Sequence, residues 1–163
     1  MPKPMVNRKV NPPSNSKPIV EVGSEMSRDD CIFCKMVVGQ IPITKIYEDQ
    51  VVLAFLDIGP ISDGHTLVIP KQHFEKLHDC PSELLGQVCS RLGKIAKAVT
   101  KAMNSEGYNV LCNNGRIAGQ LVEHLHFHII ARNSGDGVFN RWPAYKYEDG
   151  KIDAIAAKIR KNL

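Results

Sequence analysis

His124-Leu125-His126-Phe127-His128-Ile129-Ile130 is the stretch whose reading decides the fold of this chain. Strand side chains alternate between two faces, so as a strand it carries three imidazoles and Ile130 on one face and Leu125, Phe127 and Ile129 on the other. One face is chemical and the other is core. Alternate strand residues lie roughly 6.5 Å apart, close enough for neighbouring rings to share one phosphate, one metal ion or two adjacent subsites. A helix would scatter them. A single histidine on a strand is ordinarily a half-buried or solvated side chain, but three in strict alternation over an apolar stripe are hard to place by accident. Two chemistries stay open here: imidazole as a nucleophile or acid/base near neutral pH, and imidazole as a metal ligand.

Outward from this stretch the chain reads as short strands around one long helix. Residues 44–48 and 51–57 are rich in β-branched and aromatic side chains and are joined by a turn at Asp49-Gln50, which predicts a hairpin. Turn residues at 59–64 lead to a third strand over 65–70, stopped by its proline. Pro81, Ser82 and Glu83 open the long helix. Its apolar positions Leu85, Val88, Leu92, Ile95, Val99 and Met103 step by three and four, and its lysines form a solvated face. A fourth strand is expected over 108–113, a glycine-containing loop over 114–119, and the fifth strand over 123–131. Residues 133–150 read as loop around the only tryptophan, Trp142, before a terminal helix over 152–161. At the front, Asp29 and Asp30 favour a short helix that Gly39 ends. Hairpin-linked strands with an inserted helix predict an α+β domain with a mostly antiparallel, five-stranded sheet. Neither a Walker sequence nor GxGxxG occurs, which argues against those nucleotide folds.

With 163 residues the chain suits one well-buried domain. It contains no apolar run of about 18 residues, so no membrane span is expected, and no signal segment opens it. The net charge of +4 is partly local, because residues 1–20 carry Lys3, Arg8, Lys9 and Lys17 without an acid. That is a basic tail and not a nucleic-acid surface. Five prolines and few large apolar residues predict disorder over 1–28, leaving a domain over 29–163 with a C-terminal extension from about 133. A mitochondrial presequence is the weaker reading of the tail, since prolines oppose an amphipathic helix. A cytoplasmic protein is expected, with mitochondrial or nuclear placement open. Five cysteines without secretory features disfavour a disulfide framework, and the close pair Cys31 and Cys34 points to metal binding or redox chemistry.

These motifs resemble the histidine triad (HIT) superfamily, whose signature alternates three histidines with apolar residues and is matched at all seven positions of 124–130. The resemblance extends over roughly 29–147, through Phe55-Leu56-Asp57-Ile58, Gly64-His65-Thr66-Leu67-Val68-Ile69-Pro70-Lys71, and Asn113-Asn114-Gly115 with Ala118-Gly119-Gln120. Within the superfamily the chain is most similar to the Hint-like nucleoside phosphoramidases, in particular zinc-containing members with an N-terminal Cys-x-x-Cys. The resemblance implies hydrolysis of nucleoside 5′-phosphoramidates, adenosine type expected, through a covalent nucleotidyl-histidine. His126 would be the nucleophile, His128 would contact the α-phosphate oxygens, and His65 would support the triad. Asp57 would bind the ribose hydroxyls; Ile32, Phe33, Met36, Ile41, Phe55 and Ile58 would line the base pocket; Asn113, Gly119 and Gln120 would lie near the phosphate. Zinc would be held by Cys31, Cys34, His73 and His124, a closed and therefore structural set. A homodimer through the long helix and fourth strand is also implied.

The chain departs from that pattern at Leu121, where Hint-like enzymes commonly carry a hydroxyl, and at Ala131, where many relatives have proline. Rival readings are Fhit-like hydrolysis of dinucleoside polyphosphates, a metallohydrolase with the triad holding a catalytic ion, and a nucleotide-binding interaction protein with little turnover.

Overall fold

The computed structural model describes residues 30–139 and 143–163. The expected tail over 1–28 and Trp142 lie outside the described residues. Three α-helices and five strands follow in the order α1 (Ile32–Val37), β1 (Lys45–Glu48), β2 (Val52–Leu56), β3 (Thr66–Pro70), α2 (Ser82–Met103), β4 (Gly107–Leu111), β5 (Phe127–Arg132) and α3 (Lys151–Arg160). The strands form one antiparallel sheet in the order β1-β2-β3-β5-β4. The expected α+β architecture is therefore present.

Alternation along the central strands sorts the core into two layers. Val52, Ala54, Val68, Leu125, Phe127, Ile129 and Ala131 pack with Val88, Leu92, Ile95, Ala96 and Val99 of α2. Leu53, Phe55, Leu67 and Ile69 pack with Phe33 of α1. Each large side chain buried on α2 contributes on the order of 1.5–3 kcal/mol, enough for this stripe to hold the helix down without help from its lysines. His128 pairs with Leu67 in the β3–β5 register, so the chemical residues share a side of the sheet with α1.

Local contacts explain the hairpin and the helix boundary. Asp49 Oδ1 accepts the N–H groups of Val51 and Val52 at 2.8 and 2.9 Å, and Oδ2 accepts Tyr47 Oη and Arg91 Nε at 3.0 and 2.8 Å. One carboxylate thus closes the β1–β2 turn and ties it to α2. Gly64, with φ +78°, lies where a Cβ would come 2.6 Å from Met103 Cγ. The backbone angle demands glycine immediately before His65, and a Cβ there would also push the Met103 side chain aside.

Two strand boundaries differ from expectation. The fourth strand runs over Gly107–Leu111 instead of 108–113, and the fifth begins at Phe127 instead of 123. The second difference has a clear cause: the His124 and Leu125 N–H groups donate to the Val122 and Phe74 carbonyls at 2.8 and 2.5 Å, so neither joins the ladder. β4 is an edge of the sheet and leaves Tyr108 and Val110 exposed. Among the described residues no helix is long and apolar enough to cross a membrane.

Candidate active site and metal centre

Three pieces of chain meet at the first triad histidine. The N-cap of α1 supplies Cys31 and its first turn supplies Cys34, the loop after β3 supplies His73, and the lead-in to β5 supplies His124. Ligand atoms of all four lie within 4.8 Å of one another. Cys31 Sγ and Cys34 Sγ stand 3.4 and 3.6 Å from His124 Nδ1, and Cys34 Sγ stands 3.4 Å from His73 Nδ1. A tetrahedral ion with Zn–S near 2.3 Å and Zn–N near 2.0 Å separates neighbouring S and N ligands by about 3.5 Å, so this donor set fits a metal. His124, completely buried, donates from Nε2 to the Pro70 carbonyl at 2.9 Å. That bond leaves the Nδ1 lone pair facing the thiols, as an oriented ligand requires.

The second triad histidine is held differently. His126 is buried, and its Nδ1–H donates to the carbonyl of His124 at 2.6 Å. The neutral ring therefore presents its lone pair at Nε2, which has no hydrogen-bond partner among the described residues. Phe33 meets both rings edge-on, with centroids 5.4 Å from His126 and 5.8 Å from His124.

The third histidine belongs to a relay. The Ile61 N–H donates to His65 Nδ1 at 3.4 Å, so His65 Nε2–H donates to His128 Nδ1 at 2.9 Å. His128 is left with an N–H at Nε2, a buried atom without a hydrogen-bond partner among the described residues. Asp57 Oδ2 lies 3.6 Å from His65 Nδ1, too far for a hydrogen bond. Asp57, His65 and His128 also cluster within 4.8 Å, but the 2.9 Å contact occupies the lone pair a metal would need.

Burial holds all four histidines below the usual imidazole range. His124 and His128 are pushed down to about 4, for His128 mainly by desolvation and then by His126 and His65. His65 and His126 are lowered, again chiefly by burial. The rings are neutral at pH 7, the form needed by both a ligand and a nucleophile.

The expected nucleotide contacts are only partly gathered. Phe33 and Phe55 are buried, with centroids 5.7 Å apart, and Met36 packs against them. Ile43, rather than Ile41, is the isoleucine packed against that layer. Ile32 is exposed, and Ile58 is fully so. Asp57 is half-buried and accepts the Gly59 N–H at 2.9 Å. Gly119, with φ +89°, lies against the Asn113 amide. Gln120 is buried with both ends engaged: Oε1 accepts the Gly115 N–H and Nε2 donates to the Glu75 carbonyl, each at 2.7 Å. Its side chain braces the loop before the triad. A cavity of about 920 Å³ lies beside the metal cluster, lined by Cys31, Ile32, Lys76, Arg116 and Leu121 among others.

Sequence reasoning missed the backbone partners: the Pro70, Phe74 and His124 carbonyls and the Ile61 N–H. It also missed Asn114, which accepts the Leu77 N–H at 2.7 Å. Main-chain donors and acceptors carry no residue signature.

The geometry is that of a histidine triad, and the chain belongs to the HIT domain family, whose model matches residues 38–135. Among its relatives, the adenosine 5′-monophosphoramidase of Schizosaccharomyces pombe is 48% identical over 134 residues, covering 82% of this chain and 98% of that one. Among solved structures, a HIT family member from Bacillus subtilis matches with TM-score 0.76 at 42% identity, covering 82% of this chain and 97% of the other. A zinc-bound histidine triad family protein from Mycobacterium smegmatis matches with TM-score 0.65 at 36% identity, covering 83% and 99%.

Proposed function

We propose that this protein is a purine nucleoside phosphoramidase, which hydrolyses adenosine 5′-phosphoramidates through a nucleotidyl-His126 intermediate. The observation that carries the proposal is the His126 tautomer: Nδ1–H is committed to a main-chain carbonyl and Nε2 is free. No general base is needed, because the neutral ring already has its lone pair. The adenosine 5′-monophosphoramidase relative supports the substrate class.

Nε2 of His126 attacks the α-phosphorus, forming an N–P bond as the P–N bond to the leaving group breaks, and the departing nitrogen takes that electron pair and a proton from solvent to leave as the amine. Water then attacks the same phosphorus, releasing AMP and restoring the ring. The unpartnered His128 Nε2–H donates to a phosphate oxygen, and the His65 relay keeps that proton on Nε2. Such preorganised donors act without reorganisation as charge develops. Asp57 accepts from the ribose hydroxyls, and the nucleoside rests against the layer containing Phe33, Met36 and Phe55. Asn113 and Gly119 border the phosphate, whereas Gln120 acts by bracing their loop.

Cys31, Cys34, His73 and His124 would hold zinc, and with four protein ligands its part is structural. The M. smegmatis neighbour supports that metal. The exposed β4 edge supports a homodimer, since an open edge with apolar side chains is a pairing template.

Incubation with adenosine 5′-phosphoramidate, followed by rapid denaturation at alkaline pH, where a histidine N–P bond survives, and mass spectrometry tests the reading. An AMP adduct on the His126 peptide and accumulation of free AMP are expected; AMP release without any adduct under single-turnover conditions would overturn the covalent route.

A further inference from the structure

We infer that the Cys31/Cys34/His73/His124 cluster positions the nucleophile as well as stapling the fold, so that metal occupancy sets the placement and tautomer of His126. The inference rests on the proposed role of His126 only where it concerns rate.

The strand ladder does not hold His126. The β3–β5 ladder starts with Phe127 opposite Val68, so residues 124–126 lie beyond the paired strand. Each segment that brings a ligand to the cluster grips this lead-in instead. The segment carrying His73 offers the next carbonyl, that of Phe74, to the Leu125 N–H at 2.5 Å. The α1 turn between Cys31 and Cys34 places Phe33 edge-on to both His124 and His126. His124 itself, held by Pro70 on one ring nitrogen and facing the thiols with the other, supplies the carbonyl that fixes His126 Nδ1–H at 2.6 Å.

Three independent segments thus converge on the metal cluster, and the same three converge on His126. Their mutual placement depends on what joins them. Two thiols and two imidazole nitrogens at 3.4–3.6 Å make poor hydrogen bonds among themselves, since thiols are weak donors and acceptors; a metal supplies the missing cohesion. Core packing of Phe33 and the Gln120–Glu75 and His124–Pro70 hydrogen bonds keep the three segments near one another, but without the metal the fine alignment of Phe33, the Phe74 carbonyl and the His124 carbonyl loosens. His126 then gains freedom to rotate and to exchange tautomers. Asp57 lies at the exit of β2, outside this junction, whereas Phe33 meets Phe55 with ring centroids 5.7 Å apart, so the nucleoside keeps its ribose contact and loses part of its base contact. His124 and Phe33 are positioning residues in this scheme.

The experiment uses the full chain loaded with Zn²⁺ and labelled with ¹⁵N-histidine. Removing zinc with a chelator should replace the well-separated nitrogen shifts of His126, a single Nδ1–H tautomer, by averaged values. With adenosine phosphoramidate, kcat should fall at least tenfold, and added Zn²⁺ should restore both readouts. If the metal-free chain unfolds by circular dichroism, replacing Zn²⁺ by the larger Cd²⁺ in the folded protein should move the His126 nitrogen shifts more than those of His65 and His128. Unchanged His126 shifts in folded metal-free or Cd²⁺-loaded protein would overturn the inference, as would a chain that takes up no stoichiometric zinc. If the zinc-loaded protein fails to turn over the substrate, the proposed activity falls, but the nitrogen shifts still decide this inference.

Discussion

Two histidine clusters flank His126, and they are built on opposite rules. On one side, His124 directs its Nδ1 lone pair toward two thiols at 3.4 and 3.6 Å, and His73 Nδ1 stands 3.4 Å from one of them. On the other, His65 and His128 are joined donor to acceptor at 2.9 Å, fed by the Ile61 N–H. The same residue type therefore serves as ligand or as proton-holding relay, and the deciding factor is the partner of its second ring nitrogen. Pro70 O decides for His124, and Ile61 N decides for His65.

The strongest way to break this picture is at the ring between the clusters. His126→Asn should lower turnover of adenosine phosphoramidate by at least about a thousandfold, roughly 4 kcal/mol in the barrier, with AMP affinity by calorimetry changed only a few-fold. A variant retaining a tenth of the wild-type rate would exclude the covalent step.

Next come paired substitutions, one in each cluster. Cys34→Ser should lower Tm by on the order of 10 °C, because structural zinc contributes directly to folding free energy and each kcal/mol is worth about 2–4 °C in a chain of this size. His65→Asn should shift Tm by less than half as much yet reduce kcat about tenfold, since the relay is aimed at the substrate. Differential scanning calorimetry and steady-state kinetics on the two variants sharpen the contrast; equal Tm losses would erase it.

A smaller effect separates the clusters by pH. The His128 imidazole is held at about 4, against about 6.5 in an unfolded chain. Between those values the unfolded chain binds a proton that the fold refuses, so this contribution is complete above pH 6.5 and is lost as pH falls toward 4. Urea midpoints of the metal-loaded protein should be level from pH 8 to 6.5 and decline below, and His128→Gln should flatten the decline. The smallest effect belongs to Leu121, almost fully exposed at the cavity beside the metal cluster. Leu121→Ser should alter relative rates among leaving groups by a few-fold, read as kcat/KM across amine substituents, without moving Tm.

Much of this was legible in the sequence because it rests on periodicity. Alternation in 124–130 separated Leu125, Phe127 and Ile129, which do pack with α2, from the imidazoles, and the three-and-four spacing of Val88, Leu92, Ile95 and Val99 gave the long helix. The four residues expected to hold metal and the three expected to be catalytic lie close together. Illegible were the events that depend on chain geometry alone. Nothing in the residue types showed that Leu125 N–H would leave the ladder for Phe74 O, shortening β5. Gln120 carries an amide suited to phosphate, and only the fold reveals that Gly115 and Glu75 have already taken both its ends. Ile58 follows Asp57 in an apolar run, but the chain turns there and leaves it in solvent.

The acceptor for His126 Nδ1–H is a peptide oxygen, an atom common to every amino acid. Alanine scanning is blind to it, because no codon change at position 124 deletes that oxygen. Mutation can displace the contact, through the metal ligands that place His124, but cannot delete the acceptor atom itself. Probing it directly calls for chemistry on the backbone, such as a thioamide at residue 124 introduced by semisynthesis, where the weaker sulfur acceptor would loosen the ring while leaving all twenty side-chain identities untouched.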